Sequence, residues 1–161
     1  YYTWYNQNGD TMKIYIACDH RGVDTLPIII KYLEETHYDV ERIGVNKDKD
    51  DYPDYAFSLC KKVIENKDSL GVLICGNGIG MSIAANKVKG IRAARIVDID
   101  DAVKCKSHNG CNVVCIGANL ANDLIISMIE AFIKTPNPFE EKHIKRINKI
   151  INYEKGEYNE L

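Results

Sequence analysis

The stretch from residue 70 to residue 87 constrains the fold of this chain more than any other part of the sequence. It begins with an apolar run, residues 72–74, which is typical of a strand buried on both faces. Glycines follow at alternate positions, and good helix formers resume over residues 81–87, with Gly90 placed to end that helix. A strand, a glycine turn and a helix in this order place unpaired N–H groups at the carboxyl end of a parallel sheet, where they favour an anion.

Cys75 is the last residue of this predicted strand and precedes the glycine turn, which contains Gly76, Gly78 and Gly80. A thiol beside a helix N-terminus is stabilised as the thiolate. A base beside N–H donors can remove a proton next to a carbonyl, while the donors hold the enediolate oxygen that forms. Cys75 is therefore a candidate catalytic base. The alternative is a buried cysteine beside an ordinary turn.

Strands and helices alternate along the rest of the chain. Strands are predicted at residues 13–18, 38–43, 72–75, 91–96 and 112–116. Helices are predicted from Asp24 or Thr25 to about residue 33 and at residues 53–66, 81–87, 99–107, 120–134 and 139–152. Alternation without tight hairpins predicts a single-domain, Rossmann-like, three-layer α/β/α fold with a five-stranded parallel sheet.

The length of 161 residues suits one domain with a sizeable core. We expect the domain to span residues 12–152 and residues 153–161 to form a C-terminal tail. Residues 1–11 are polar and aromatic, and we interpret them as an artificial leader or an upstream extension, poorly ordered. The alternative for this segment is a native tail that docks on a partner.

Composition argues against several classes of protein. The net charge is −2, which does not suit a nucleic-acid binder held by bulk charge, and no apolar run approaches the roughly 20 residues of a membrane span. We expect no signal peptide, because residues 1–11 lack an apolar segment. The six cysteines are typical of cytoplasmic thiols, and Cys105, Cys111 and Cys115 with His108 lack the paired spacing of a metal site.

Ligands of parallel sheets bind beyond the carboxyl ends of the strands, so polar residues near the strand ends are candidates for a site. They are Asp19, His20, Arg21, Cys75, His108, Asn109 and Asn119. We expect them to converge on one edge of the sheet. Alternatively, Asp19 and His20 cap the first helix, and residues 108–110 form a plain turn.

The last predicted helix carries a basic face. Lys142, Arg146 and Lys149 lie at positions i, i+4 and i+7. They are opposite an apolar face formed by Ile144, Ile147 and Ile151. The basic face is either a solvated surface or a clamp for a phosphate. A helix that follows the break at residues 135–138 can reach over the strand ends.

Five segments taken together resemble ribose-5-phosphate isomerase B, in the family that it shares with the galactose-6-phosphate isomerase subunits. They are ACDHRG at 17–22, DYPDYA at 51–56, LICGNGIGMSIAANK at 73–87, GIRA at 90–93 and SHN at 107–109. The resemblance covers nearly all of residues 12–152, and the long glycine-turn segment is its most specific part.

The resemblance implies an isomerase that interconverts D-ribose 5-phosphate and D-ribulose 5-phosphate in the pentose phosphate pathway of the cytoplasm. It implies a homodimer, or a dimer of dimers, with each active site shared between two chains. It implies no metal and no organic cofactor.

The resemblance also implies roles for individual residues. Catalytic roles fall on Cys75 as the base, on Asp19 and His108 in ring opening and hydroxyl contacts, and on Asn77. Substrate contacts fall on His20, Tyr52, Gly76, Gly78, Ile79, Gly80, Asn109, Lys142 and Arg146. Of these, His20, Lys142 and Arg146 match contacts to phosphate, and His108 and Asn109 reach in from the neighbouring subunit.

Three positions depart from the family pattern. Asn77 stands where threonine is common, and Asn119 and Lys142 stand where arginine is common, whereas Arg146 is retained. Losing two bidentate guanidinium groups implies a weaker or rearranged phosphate site, for which Arg21 or Lys145 can compensate. The departures leave open an isomerase of allose 6-phosphate or galactose 6-phosphate. A non-catalytic module that binds a phosphorylated ligand is the other alternative.

Overall fold

The computed structural model describes residues 11–161, which form five strands and six α-helices around one parallel sheet. The strands are β1 Lys13–Cys18, β2 Asp39–Arg42, β3 Leu70–Cys75, β4 Ala93–Arg95 and β5 Val113–Gly117. The helices are α1 Leu26–Glu35, α2 Tyr52–Glu65, α3 Ile79–Ala85, α4 Ile99–Asn109, α5 Asn122–Lys134 and α6 Glu141–Glu154, with a 3₁₀ turn at His20–Gly22. The predicted fold class is confirmed.

The strand order β2-β1-β3-β5-β4 places β1 and β3 side by side at the point where the chain reverses its direction across the sheet. Their register pairs Ile14 with Leu70 and Cys18 with Ile74. Open parallel sheets bind ligands beyond the carboxyl ends of the strands at such a reversal. The residues that follow β1 and β3 therefore lie side by side where a site is expected.

The sheet is covered on both faces because its strands alternate their side chains between two apolar clusters. Ile14 and Ile16 of β1 pack with α1 and α5, where Phe132 is fully buried. Tyr15 and Ala17 of β1 point to the other face, toward α2 and α3. Burial of each large apolar side chain contributes roughly 1.5–3 kcal/mol. The central strands are thereby fixed rigidly beneath the residues that follow them.

Helix α3 begins and ends two residues earlier than predicted, running from Ile79 to Ala85 with Asn86 at its C-cap. The cause of the earlier end is the Asn86 side chain, which donates to the carbonyl of Ala93 (2.9 Å) and accepts from its N–H (2.8 Å). These bonds tie the helix end to β4. Gly90 does not end the helix; it lies in the following turn at φ +88°.

The predicted leader falls outside the described residues, apart from Thr11. Within residues 11–161, none of the helices has the length and apolar character that crossing a membrane requires. All six cysteines are free thiols.

Candidate active site

The glycine turn follows β3 at the carboxyl end of the sheet. All six residues of β3 are buried, and Cys75 is 4% exposed. Gly78 adopts φ +82°, and a Cβ there would lie 3.1 Å from the carbonyl oxygen of Cys115, so the position favours glycine. This conformation turns the Gly78 N–H back toward Cys75, whose Sγ accepts it at 3.2 Å. The thiol is thus held against a backbone N–H donor.

Asn77 lies at the exposed tip of the turn and is tied into it on two sides. Its Oδ1 accepts the N–H of Ile79 at 3.0 Å, and its backbone carbonyl accepts Arg95 Nε–H at 2.8 Å. The side-chain oxygen is therefore used within the turn. The amide N–H₂ group of Asn77 remains for a ligand.

Asp19 follows β1 and lies next to the glycine turn. Its backbone N–H donates to the carbonyl of Ile74 at 3.2 Å, which extends the β1–β3 ladder by one residue. Its carboxylate, in a residue only 5% exposed, accepts the N–H of Arg21 at 2.9 Å and caps the 3₁₀ turn. Asp19 thus caps the 3₁₀ turn and not the first helix, whose N-cap is Thr25. The β1–β3 pairing places Asp19 and Cys75 at neighbouring strand ends.

The Arg21 guanidinium lies over the first residue of the glycine turn. Its Cζ is 3.7 Å from the position that a Cβ on Gly76 would occupy. A positive charge therefore lies within a few ångströms of the turn.

Tyr52, the first residue of α2, forms a side wall of the same region. A Cβ on Gly80 would lie 2.5 Å from Tyr52 Cζ, so the ring rests directly on the glycine backbone. The ring is 38% exposed, which leaves part of its surface for a ligand. Gly80 is thus needed for a close ring contact rather than for a special backbone angle.

His20 and Asp50 form a pair that the sequence did not indicate. His20 Nδ1 lies 3.1 Å from the Asp50 carboxylate, whose side chain is only 8% exposed. Asp50 belongs to a charged loop between β2 and α2, and its neighbours Lys47, Asp48 and Lys49 gave the loop the character of a solvated surface. The available signal was Tyr55, five residues after Asp50, and alone it was too weak to indicate a buried carboxylate.

The expectation that all polar candidates converge on one edge is wrong for His108 and Asn109. Helix α4 begins beyond the carboxyl end of β4 and runs back, so its last residues lie at the amino end of the sheet. There Arg92, which precedes β4, donates through Nε to the carbonyl of Asn109 (3.0 Å) and through Nη2 to that of Gly110 (2.8 Å). Within one chain, His108 and Asn109 lie at the opposite edge from Cys75.

The end of α4 is a well-formed helix terminus rather than a plain turn. Gly110 adopts φ +59° and its N–H donates to the carbonyl of Lys106, which is the αL capping motif, while the Cys111 N–H donates to the carbonyl of Cys105. Next to it, the rings of His108 and His143 stack with centroids 4.3 Å apart. The position of His108 is therefore fixed by α4 and α6 together.

The basic residues of the last helix also lie at the amino end. α6 packs against α4, and Ile147 approaches Gly110, while Lys142 pairs with Glu140 at 3.4 Å. The expectation that α6 reaches over the carboxyl ends of the strands in its own chain is therefore wrong for Lys142 and Arg146. The break at residues 135–138 instead sends the chain across the amino end.

The apolar face predicted for α6 is only partly correct. Ile147 is buried, but Ile144 is 40% exposed, and His143 takes its place in the contact with α4. The stacked histidine ring fills the space that an apolar side chain was expected to fill.

Asn119 is at the carboxyl end of β5, as expected from the order of the strands. Its Oδ1 packs against Gly117, and the same glycine is close to the backbone of Asn77. Asn119 therefore lies beside the glycine turn and brings an amide there, with no positive charge.

Comparisons with known proteins agree with this arrangement. The ribose/galactose isomerase family matches residues 14–150. A probable ribose-5-phosphate isomerase B of Mycoplasma pneumoniae is 41% identical over 146 residues, which cover 88% of this chain and 95% of the relative. The crystal structure of ribose-5-phosphate isomerase B from Mycoplasma genitalium with bound ribulose-5-phosphate superposes with a TM-score of 0.85, at 38% identity, over 89% of this chain and 97% of that one.

A type B ribose 5-phosphate isomerase of Trypanosoma brucei gives a TM-score of 0.84 at 39% identity, over 89% of this chain and 99% of that one. The similarity thus extends over the whole sheet and both helical layers. With a family match across most of the sequence and the glycine turn in place, the chain belongs to the ribose/galactose isomerase family.

Proposed function

We propose that this chain is an aldose–ketose isomerase that interconverts D-ribose 5-phosphate and D-ribulose 5-phosphate through an enediolate. The observation that carries the proposal is the Cys75 thiol, which is held at 3.2 Å against the Gly78 N–H at a strand end next to that of Asp19. The bacterial and trypanosomal proteins similar to this chain bear the name of this activity, and the Mycoplasma genitalium structure holds ribulose-5-phosphate.

In this proposal Cys75 removes the proton from C2 of the open-chain aldose and returns it to C1. The electron pair of the broken C–H bond forms the double bond between C1 and C2, and the negative charge develops on the former carbonyl oxygen. The backbone N–H groups of Gly76 and Gly80 in the glycine turn stabilise that oxygen, because the N–H of Gly78 already donates to Cys75 Sγ and that of Ile79 to Asn77 Oδ1. The hydroxyl proton on O2 moves to O1 as the ketose forms.

Three neighbouring groups orient the sugar in the same proposal. Asp19 assists ring opening, and Tyr52 forms the wall against which the sugar packs. Asn77 holds a hydroxyl through its N–H₂ group, because its Oδ1 is already bonded to the N–H of Ile79. An amide is a poor proton relay, so Asn77 serves here in binding rather than in proton transfer.

A second copy of the chain completes each site. His108, Asn109 and Arg146 belong to the amino end of the sheet, and a twofold axis can place that end of one copy against the carboxyl end of the other. Exposed apolar side chains support such a contact, since Ile79 and Ile83 of α3 are 47% and 58% exposed. We therefore propose a homodimer, or a dimer of dimers, with active sites shared between chains.

The phosphate of the substrate is held by His20 of one copy and by Arg146 and Lys142 of the other. Lys142 is a point charge that is paired with Glu140 in the single chain, so Arg146 provides the bidentate contact. The reaction leaves the phosphate unchanged, which makes these contacts binding contacts.

Another aldose phosphate is the second candidate substrate. Asn119 brings an amide rather than a positive charge to the glycine turn, and a family that also acts on galactose phosphates includes six-carbon substrates. Turnover of allose 6-phosphate or galactose 6-phosphate above that of ribose 5-phosphate would favour this candidate.

The decisive experiment follows the proton at C2 of ribose 5-phosphate by NMR in heavy water. An isomerase of this kind replaces the C2 proton by deuterium and produces ribulose 5-phosphate. A chain that binds the sugar phosphate without exchange would be a non-catalytic binding module, and the proposal would fail. The six free thiols support a reducing compartment, so we propose that the enzyme acts in the pentose phosphate pathway of the cytoplasm.

A further inference from the structure

The Asp50 carboxylate is a buried centre of hydrogen bonds beside the proposed site. Its side chain is 8% exposed, although it belongs to a loop rich in charged residues. It accepts from the Tyr55 hydroxyl (2.6 Å), the His20 backbone N–H (2.7 Å), Asn46 Nδ2 (3.0 Å), His20 Nδ1 (3.1 Å) and the Lys47 N–H (3.2 Å). A carboxylate with this many donors is fully solvated by protein groups.

These donors come from separate segments, so Asp50 joins the 3₁₀ turn after β1, the loop after β2 and helix α2. Asn46 also donates to the carbonyl of Cys18 at the end of β1 (2.7 Å) and accepts from Arg42 of β2 (2.7 Å). Gly44 rests on the ring of Tyr55, where a Cβ would lie 2.8 Å from the ring. The loop is therefore folded around Tyr55 and fixed to the strand ends before any ligand binds.

The contacts of His20 determine the orientation of its ring. Nδ1 faces two oxygens of Asp50, the carboxylate at 3.1 Å and the backbone carbonyl at 3.1 Å. Because both partners accept hydrogen bonds, Nδ1 must carry a proton. No hydrogen bond among residues 11–161 uses Nε2, and the side chain is 44% exposed. One edge of the ring is thus fixed by Asp50, and the other edge is free for a ligand.

The charge on the two partners follows from the same contacts. The side-chain hydrogen bond to Asp50 raises the pKa of His20 above its ordinary value against the effect of desolvation, and the Asp19 charge adds to the rise. Burial would raise the pKa of Asp50, but hydrogen bonds from Tyr55, Asn46 and His20 outweigh it and hold this pKa well below its ordinary value. Asp50 therefore stays ionised and favours the imidazolium form of His20.

We propose that Asp50 is a positioning residue that fixes the His20 imidazole through Nδ1 and thereby presents a charged Nε2–H to the phosphate of the substrate. This inference rests on the proposed function, because it assigns His20 to the substrate phosphate. It adds to the site a residue that does not itself touch the sugar phosphate. The acidic groups that face the ring are Asp50, from the loop, and Asp19, from the same 3₁₀ turn.

The primary test replaces Asp50 by asparagine, which keeps the shape of the side chain and removes its charge. We expect Asp50→Asn to raise KM for ribose 5-phosphate by about tenfold at pH 7.5, with a much smaller change in kcat, because a charge-assisted contact in the bound state is weakened. His20 is an imidazolium below its pKa. Because Asp50→Asn removes the charge that raises the pKa of His20, this pKa is lower in the variant than in wild type. The increase of KM with pH should therefore begin at a lower pH in Asp50→Asn than in wild type.

Two readouts separate positioning from loop stability. NMR of the His20 ring should show that it titrates at lower pH in Asp50→Asn than in wild type. In the comparison of KM at different pH values, the second ionisation of the substrate phosphate, near a pKa of about 6, affects both proteins equally and therefore does not contribute to the difference. Tyr55→Phe is the matched control, because it removes one hydrogen bond from Asp50 and leaves the His20 contact in place. It should lower the stability of the fold and leave the titration of His20 close to that of wild type.

A double-mutant cycle decides whether Asp50 acts through His20. In a His20→Ala background, Asp50→Asn should add less than about a twofold change in KM, since the group that it positions is gone. An equal increase of KM in both backgrounds, or an unchanged titration of His20, would overturn the proposal. If Asp50→Asn does not fold, Asp50→Glu takes its place in the same cycle. An increase of KM that is equally large in the His20→Ala background would again overturn the proposal.

The outcome is distinguishable from a failure of the proposed function. If wild type does not exchange the C2 proton of ribose 5-phosphate, the isomerase assignment fails, and the His20 titration still tests the pairing. If wild type exchanges the proton but Asp50→Asn behaves as wild type in KM and titration, the positioning role fails alone.

Discussion

The two ends of the sheet carry different parts of the proposed site. At the carboxyl end, Cys75 and Asp19 are buried, the Cys75 thiol accepts the N–H of Gly78, and the N–H of Asp19 donates to Ile74. At the amino end, His108 stacks on His143 at the surface of α4 and α6, beside a cavity of about 710 Å³ that Arg92 and Lys106 help to line. The carboxyl end has the groups proposed for proton transfer, and the amino end has Lys142 and Arg146, which are proposed to bind the phosphate in a neighbouring copy.

This difference explains why a single chain does not assemble the full set of residues. The strand order fixes which residues follow β1 and β3, and these meet within one chain. His108 lies at the end of α4, which runs back along the sheet, and Arg146 lies in α6, so in the proposed dimer they reach the site of the other copy. We expect substitutions at the carboxyl end to affect the chemistry and those at the amino end to affect a neighbouring copy.

The largest effect is expected for the thiol at the carboxyl end. Cys75→Ala should reduce kcat by about 10²–10⁴-fold, the usual contribution of a general base, while binding of ribose 5-phosphate remains close to wild type. Turnover and binding are measured separately, by a ketose assay and by calorimetry. Activity above about a tenth of wild type would contradict the assignment of the base. Cys75 should also react with iodoacetamide, and substrate should protect it.

The second effect is a recovery of activity in mixed dimers. Cys75→Ala and His108→Ala chains should each be inactive alone, but one of the two sites in a mixed dimer would contain both wild-type groups. Random pairing of equal amounts should then restore about a quarter of wild-type activity in a twofold assembly. Purified heterodimers with two different tags, in which one site of two is complete, should have about half of wild-type activity in this twofold assembly. Heterodimers without activity would mean that the two ends do not share a site.

A smaller effect is expected for the basic group at the amino end. Arg146→Ala should raise KM for ribose 5-phosphate by about tenfold or more, because a bidentate charged contact is lost, and it should change kcat less. Some decrease in kcat is expected, since remote binding energy helps to position the sugar. Lys149→Ala, a neighbouring exposed basic residue, is the control. Equal effects of the two substitutions would indicate only general electrostatic attraction.

Lys106 should affect stability rather than catalysis. It is 4% exposed and donates to the carbonyls of Phe132 and Ile133 at the end of α5, and burial lowers the pKa of Lys106 to about 8. Between this value and the ordinary pKa of the unfolded chain, the unfolded state binds more protons, so wild type gains stability as the pH rises. Urea unfolding from pH 7 to 9.5 should show this gain relative to Lys106→Met. An identical pH dependence of both proteins would exclude it.

No effect at all is expected from removal of metal ions. The backbone N–H groups of the glycine turn provide the electrophile, so the proposed chemistry requires no ion. Residues 11–161 contain no group of three His, Cys, Asp or Glu side chains that could hold a metal ion. Activity that fell after dialysis against EDTA and returned with a divalent metal would contradict this prediction.

The sequence predicts the carboxyl end better than the amino end, for a physical reason. The apolar run of β3 and the glycines after it are local signals, and the residue that ends a parallel strand must lie at the carboxyl edge. Asp19 and Cys75 follow from this rule alone. The position of a residue at the end of a helix does not follow from this rule. The sequence therefore predicted His108 at the carboxyl edge, whereas within its own chain it lies at the amino edge.

Asp50 was missed because its burial depends on contacts between distant segments. In the sequence it is one of several acidic residues in a loop between Asn46 and Tyr52. Only the folded chain brings Tyr55 and His20 to its two oxygens. Charge pattern alone indicates solvent exposure for such a residue, and it cannot show which carboxylate of several becomes buried.

The pairing of β1 with β3 has a consequence for folding. Among the four strand pairings of the described residues, it joins the segments that are farthest apart in sequence. Closing so long a segment costs more chain entropy than forming the β1–β2 or β4–β5 pairs, and non-local pairings slow folding. Asp19 and Cys75 come together only through this pairing. During refolding, binding of the sugar phosphate should therefore recover no earlier than the central sheet, and helix formation should precede both.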